Sequence, residues 1–157
     1  MNPSITIREA TIDDAVAIAE QRMEYFVEEV GRRPDIQDFV PRMTNVVRKS
    51  IESGDSVVWI AEDNGLLVSI TWVKIMVKVP WPDPFNARWA YVTNVYSRPT
   101  HRGLGIGTRL MKLLQEWATE QGFEFLILWP SEKSVAWYRR LGFREDPEVL
   151  VWTPQDR

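Results

Sequence analysis

The sequence predicts an α/β protein of the α+β kind, with a mixed, mostly antiparallel sheet flanked by helices. Three observations carry the prediction. Runs with the two-residue alternation of strands interleave with runs of helical period, in the order β-α-α-β-β-β-α-β-α-β. Asp63-Asn64-Gly65 separates two β-rich runs, and Asn-Gly signals a hairpin because a type I′ turn needs positive φ at both central residues. Between residues 98 and 111, RPTHRGLGIGTRLM passes from strand to helix through Gly103, Gly105 and Gly107.

Each element has its own justification. SITIREA alternates apolar and polar residues, as a half-buried strand does. A helix follows, with Thr11 as its N-cap and Gly31 as its stop. Ile36 to Ser53 reads as a second helix, which requires Pro41 to fall near the first turn. Two strands flank the Asn-Gly turn. Three prolines between residues 79 and 85, in VPWPDPF, predict a stiff loop. RWAYVTNVYS resumes as a strand and leads into the glycine stretch. From Gly105 the pattern is helical, with Leu110, Leu113, Leu114, Trp117 and Ala118 on one face and Gly122 at the end. FEFLILW is nearly continuous apolar sequence, which predicts an inner strand covered on both faces. SEKSVAWYRRLGF predicts a short helix capped by Ser131 and closed by Gly142, and EVLVWTP a last strand.

A chain of 157 residues with 45% hydrophobic and 26% charged residues has the size and composition of one soluble domain. A net charge of −3 offers no basic field for nucleic acid or a membrane surface, so small molecules are the expected partners. The sequence contains no cysteine, which excludes disulfides, thiolate catalysis and thiolate metal sites. His101 is the only histidine, with no cluster around it for a metal site or a Ser-His-Asp triad, so no metal is expected. The N-terminus lacks a signal pattern and no apolar run approaches the roughly 20 residues of a membrane span. The expected compartment is the cytoplasm.

A strand, a glycine loop and a helix together make an anion site, because the unpaired N–H groups of the first helical turn point out along the positive end of the helix dipole. Arg102 and Arg109 flank the loop, and guanidinium groups suit phosphate oxygens. The competing reading is a tight turn that binds nothing. The spacing lacks the Lys-Ser/Thr pair of a P-loop, and G-x-G-x-G is not the dinucleotide fingerprint. A different diphosphate remains.

Arg102-Gly103-Leu104-Gly105-Ile106-Gly107 resembles the Arg/Gln-x-x-Gly-x-Gly/Ala signature of GCN5-related N-acetyltransferases. Residues 95 to 103 resemble the strand that precedes that signature, with Ser97 in place of valine. Trp137-Tyr138-Arg139-Arg140-Leu141-Gly142-Phe143 is similar to the second half of the family's late helix, N-x-x-A-x-x-L-Y-x-x-x-G-F. Its first half departs from the pattern, because Ser131 stands for the asparagine and Ser134 for the alanine.

The resemblance implies a GNAT-like acyl-CoA N-acyltransferase fold over residues 1–157, with 1–87 mainly on the acceptor side and 88–146 forming the acetyl-CoA-binding core. It implies transfer of an acetyl group from acetyl-CoA, used as co-substrate, to a primary amine. The diphosphate would lie on Arg102, Gly103, Leu104, Gly105, Ile106, Gly107 and Thr108, with Ser131 contributing part of the missing asparagine's contact. The Val95 N–H would polarise the acetyl carbonyl, main-chain groups of Tyr96 and Ser97 would hold the pantetheine arm, and Tyr138 would protonate the leaving thiolate. Tyr138 also reads as a core aromatic.

No carboxylate lies in AYVTNVYS, so the general base is unassigned, with a water relay through Tyr91, Thr93 or Asn94 as one option. Glu24, Glu28 and Glu29 read either as a solvated helix face or as a lure for an ammonium group. The acceptor pocket is expected among the first two helices, the hairpin and VPWPDPF, with Trp72, Trp81 and Phe85 as candidate linings. The partners expected are acetyl-CoA and a small-molecule or peptide amine, with no nucleic acid or membrane, and a homodimer is allowed. The alternatives are an acyl-CoA-binding regulatory protein of the same fold without transferase activity and a nucleotide-binding regulatory module.

Overall fold

A computed structural model describes residues 4–152 and Pro154. Strand β1 (Ile5–Glu9) is followed by a short 3-10 turn (Ile12–Asp14) and helices α1 (Ala15–Val30) and α2 (Phe39–Glu52). Strands β2 (Ser56–Asp63), β3 (Leu66–Pro82) and β4 (Phe85–Ser97) form the meander, α3 spans Ile106–Glu120, β5 is Leu126–Ile127, and α4 is Val135–Arg140. The five strands lie in the order β1-β2-β3-β4-β5, antiparallel except for the parallel β4–β5 pair. This is the mixed, mostly antiparallel sheet with flanking helices that the sequence predicts.

Local chemistry explains the boundaries. Asn64 at φ 50 and Gly65 at φ 79 turn β2 into β3, the two positive values a type I′ hairpin needs. Gly31, at φ 75, accepts the left-handed conformation that ends α1. The second helix starts at Phe39, so Pro41 falls in the first turn, where its missing N–H has no helical partner to lose.

Helices cover both faces of the sheet. Ile106, Leu110, Met111 and Leu114 of α3 pack on Trp59, Val68, Val73 and Val92. On the opposite face Ile18 and Val47, from α1 and α2, pack on Val58, Ile60, Ile70 and Trp72. Each fully buried aliphatic side chain of this kind contributes about 1.5–3 kcal/mol. Among the described residues no helix is long and apolar enough to cross a membrane.

Three expectations are corrected. VPWPDPF is the tip of a long hairpin rather than a loop, with Trp81 opposite Asn86 and Pro82 opposite Phe85. Pro80 fits because the register slips between Val77 and Trp81, where irregular pairing tolerates a residue without an N–H, while Pro82 closes β3 and Pro84 lies in the turn. FEFLILW contributes only the two half-buried residues of β5, at the sheet's edge. The last strand expected from EVLVWTP is absent from its described part: Val149–Trp152 carries no regular structure, and its apolar side chains are exposed. With nothing paired outside β5, that strand cannot be internal.

Candidate functional site

The site forms where β4 loses a neighbour. Strand β5 pairs with it only at Ala90 and Tyr91, so towards Ser97 one edge of β4 runs on without a strand partner among the described residues. Asn94, at φ 47, sits where the β3–β4 register slips, in a bulge that places one extra residue on β4. A cavity of about 260 Å³ opens between residues 91–95 on one side and 128–131 on the other. Ser134, with Trp137 and Tyr138 from α4, and Arg22 and Tyr25 from α1, complete its lining.

At the end of β4 a 3-10 turn (Pro99–His101) carries the chain into the glycine loop. Gly103 and Gly105 adopt φ 75 and 74, values an L side chain rarely accepts, and no atom lies within 4 Å of where a Cβ would stand on either. The first helical bond of α3 is donated by Arg109 to the Gly105 carbonyl, at 3.0 Å. The N–H groups of Ile106, Gly107 and Thr108 precede that bond and make no such contact within the helix. The loop that leads into them is open at Gly103 and Gly105, which leaves room for an anion to approach a helix N-terminus.

Helix α4 ties the loop to the cavity. Trp137 donates its indole N–H to Thr108 Oγ1 at 3.1 Å, and the next residue, Tyr138, turns its ring into the cavity wall. Tyr138 is 8% exposed and packs on Trp137 and Phe143, so the core reading and the site reading both describe it. Burial, followed by the neighbouring Tyr25, pushes its phenol up to about 12. The group therefore keeps its proton throughout the neutral range. Ser131 lines the cavity and its Oγ lies 3.0 Å from the Ser134 Oγ.

Other predicted residues are placed differently. Val95 lines the cavity, whereas the Tyr96 side chain is buried away from it, stacked on Tyr25 and donating to Glu28 Oε2 at 2.8 Å. Burial, then the bond to Glu28, pushes the Tyr96 phenol up to about 12. The Ser97 hydroxyl contacts Ser69 Oγ at 2.6 Å. The Arg102 guanidinium is not free at the loop: its Nε donates to the Ser97 carbonyl and it pairs with Glu28. Arg98 pairs with Glu24 at 2.9 Å. Two of the three glutamates thus brace α1 against the chain around the loop, and all three stand on an exposed face of the helix, as the solvated-face reading expects. His101 bonds to Asp63 and Thr100, joining the hairpin turn to the loop.

The three aromatic side chains expected to line an acceptor pocket do not come together. Trp72 is buried in the core at 6% exposure, while Trp81 and Phe85 stand 67% and 80% exposed at the hairpin tip. The cavity's aromatic walls come from Tyr25, Tyr91, Trp129, Trp137 and Tyr138. Sequence reasoning passed over Arg22, because a single arginine within an acidic helix shows no pattern that separates it from a solvated charge. Among the described residues no cluster of three or more His, Asp or Glu is placed to hold a metal ion.

A family model described as the acetyltransferase (GNAT) family matches residues 16–143. Thialysine N-epsilon-acetyltransferase of Sus scrofa is 32% identical over 71 residues, 43% of this chain and 42% of that protein. The mouse protein of the same name matches over the same shares. The chain thus spans less than half the length of these curated relatives. Among solved structures, a predicted acetyltransferase with acetyl-CoA from Clostridium acetobutylicum aligns at TM-score 0.81 and 26% identity, over 95% of this chain and 96% of that one. A GCN5-related N-acetyltransferase from Ralstonia eutropha JMP134 shares the fold at TM-score 0.75 and 24% identity, over 96% and 99% of the two chains.

Proposed function

The chain belongs to the GNAT family of acetyltransferases, and from that premise we propose that it transfers an acetyl group from acetyl-CoA directly to a primary amine. The observation that carries the proposal is the juxtaposition on β4: a partnerless strand edge with the cavity at one end and the glycine loop at the other. The open rim at Gly103 and Gly105 supports a diphosphate resting on the N–H groups of residues 106–108, beside Arg109. The partnerless edge supports main-chain hydrogen bonding to an extended pantetheine arm through Tyr96 and Ser97.

Acetyl-CoA supplies an activated acyl carbon in a thioester. Transfer forms one C–N bond and breaks one C–S bond, and the proton lost by the amine balances the one gained by the thiolate. Tyr138 is the residue we assign to donate that second proton, since its phenol lines the cavity and stays protonated. The Val95 N–H is assigned to the carbonyl oxygen that gains charge. No carboxylate lines the cavity among the described residues, so the amine must arrive neutral or lose its proton to water.

That missing carboxylate favours one second reading, an acyl-CoA-binding regulatory protein of the same fold. One experiment separates the two: calorimetry with acetyl-CoA, followed by free-thiol detection across an amine panel. Coenzyme binding with amine-dependent thiol release establishes the transferase. Binding without release from any amine establishes the regulator, and no binding removes both.

A further inference from the structure

We propose that Arg22 sets acceptor specificity, and that the acceptor is an amine whose own substituent carries a carboxylate, as a free amino acid does. The inference rests on the transferase reading of the same cavity and adds the class of its substrate. Arg22 is the only charged side chain in the lining, among the described residues. One of its terminal nitrogens donates to Asn94 Oδ1 at 3.1 Å, and its guanidinium carbon lies 5.1 Å from the centroid of the Tyr25 ring. Those two contacts hold the fork in place and leave its remaining N–H groups free.

No carboxylate among the described residues lies within ion-pair reach of Arg22. The glutamates two and six positions further along the helix, Glu24 and Glu28, are paired to Arg98 and Arg102. Among the described residues the cavity therefore holds a half-buried cation without a counter-ion, in a lining that also includes the hydroxyl-bearing residues Tyr91, Thr93, Ser131, Ser134 and Tyr138. Diphosphate is not the missing anion, because the glycine loop contributes nothing to this lining.

One planar guanidinium matches the single charge and two parallel oxygens of a carboxylate. The same cation disfavours a second ammonium on the acceptor. A polyamine would find no counter-charge here.

The test measures amine-dependent thiol release for free amino acids, their carboxamides, the corresponding decarboxylated amines and aminoalkyl phosphates. With kcat/KM expressed per neutral amine, because a carboxamide's ammonium is more acidic than that of the amino acid, the carboxylate member of each series should stand about tenfold or more above its carboxamide, through KM rather than kcat. Arg22→Gln should erase that difference without changing acetyl-CoA affinity, and Arg22→Lys should restore part of it. Equal or better use of carboxamides, decarboxylated amines or phosphates overturns the inference, as does selectivity that survives in folded Arg22→Gln. Calorimetry with acetyl-CoA alone separates the failures. Coenzyme binding with turnover of uncharged or cationic amines leaves the transferase standing and removes only the carboxylate, whereas absent binding removes both.

Discussion

The Arg102 guanidinium lies 2.6 Å from the Glu28 carboxylate while its Nε donates to the Ser97 carbonyl, so the first residue of the glycine signature is bound back to α1 and to the end of β4. Burial pulls the Glu28 carboxyl upward, but the Tyr96 hydroxyl and Arg102 outweigh it and hold the group below the ordinary carboxylate range. The arginine is thereby a brace for the loop as well as a positive charge beside it.

Arg102→Ala should accordingly lower acetyl-CoA affinity less than Arg109→Ala, since only Arg109 has no ion-pair partner among the described residues. A full charge-assisted phosphate contact is worth about 1.5–3 kcal/mol, or roughly tenfold or more in affinity, and that loss is expected at Arg109. Both partners of the Arg102–Glu28 pair are partly exposed, so a double-mutant cycle in urea should return a coupling of about 0.5 kcal/mol or less. Isothermal calorimetry on the two alanine variants decides the ranking. A larger affinity loss at Arg102 would make it the phosphate ligand.

The glycines of the loop divide by cause. At Gly105, φ 74 forbids an ordinary side chain, so Gly105→Ala should cost about 1–2 kcal/mol in stability whether or not anything binds. Gly107 lies in the helix, and a Cβ there would meet Trp137 at 3.5 Å and Ser97 Oγ at 3.7 Å, ordinary contact distances. Gly107→Ala should therefore be neutral or stabilising by up to about 1 kcal/mol through helix propensity. Thermal melts of both variants test this, and a Gly107→Ala protein less stable than Gly105→Ala would refute the division.

What the sequence revealed follows from the range of the forces involved. Turns and helix ends such as Asn64-Gly65, Gly31 and the loop glycines depend on a residue's own φ, so they were legible at single positions. Tyr138 was located through its motif, and its contact with Phe143 follows from the turn at Gly142, which ends α4 and folds Phe143 back so that its N–H reaches the Tyr138 carbonyl. The position of FEFLILW was not legible, because whether a strand is internal depends on a neighbour from elsewhere in the chain, here the unpaired stretch at Val149–Trp152. Nor was the lining of the cavity. Arg22 reaches Asn94 across 72 positions in sequence, and Trp81 and Phe85, aromatic candidates on composition alone, are carried away by the length of the hairpin.

The Arg8 fork predicts an acid limb in stability. It donates to both oxygens of Asp14 and both of Glu62, at 2.8–3.0 Å, joining β1, the first 3-10 turn and β2. Arg8 chiefly holds the Asp14 carboxyl below its ordinary value. A lowered folded pKa means the contribution is present above the unfolded value, about 4, and is lost as pH falls through the folded one. Asp14→Asn should cost about 1 kcal/mol at neutral pH, discounted for the exposure of Arg8, and should flatten the fall in stability below about pH 4. Urea titrations across that range measure both, and an unchanged acid limb in the variant would assign the loss to other carboxylates.

Tyr138→Phe keeps the ring that packs on Trp137 and Phe143 and removes only the hydroxyl, so it separates chemistry from core structure. The variant should fold and bind acetyl-CoA normally. Positioned acid help is typically worth about 10²–10⁴-fold, and because a thiolate leaves partly unaided the loss in kcat should sit near the low end, about 10²-fold or less. The pH profile supplies an independent check. With its phenol pushed up to about 12, Tyr138 holds its proton through the working range. With no carboxylate in the described cavity lining, activity should rise with the neutral fraction of the acceptor amine and show no side-chain limb between about pH 4 and 6. If kcat is unchanged in Tyr138→Phe where chemistry limits the rate, Tyr138 is a packing residue and the thiolate takes its proton from water.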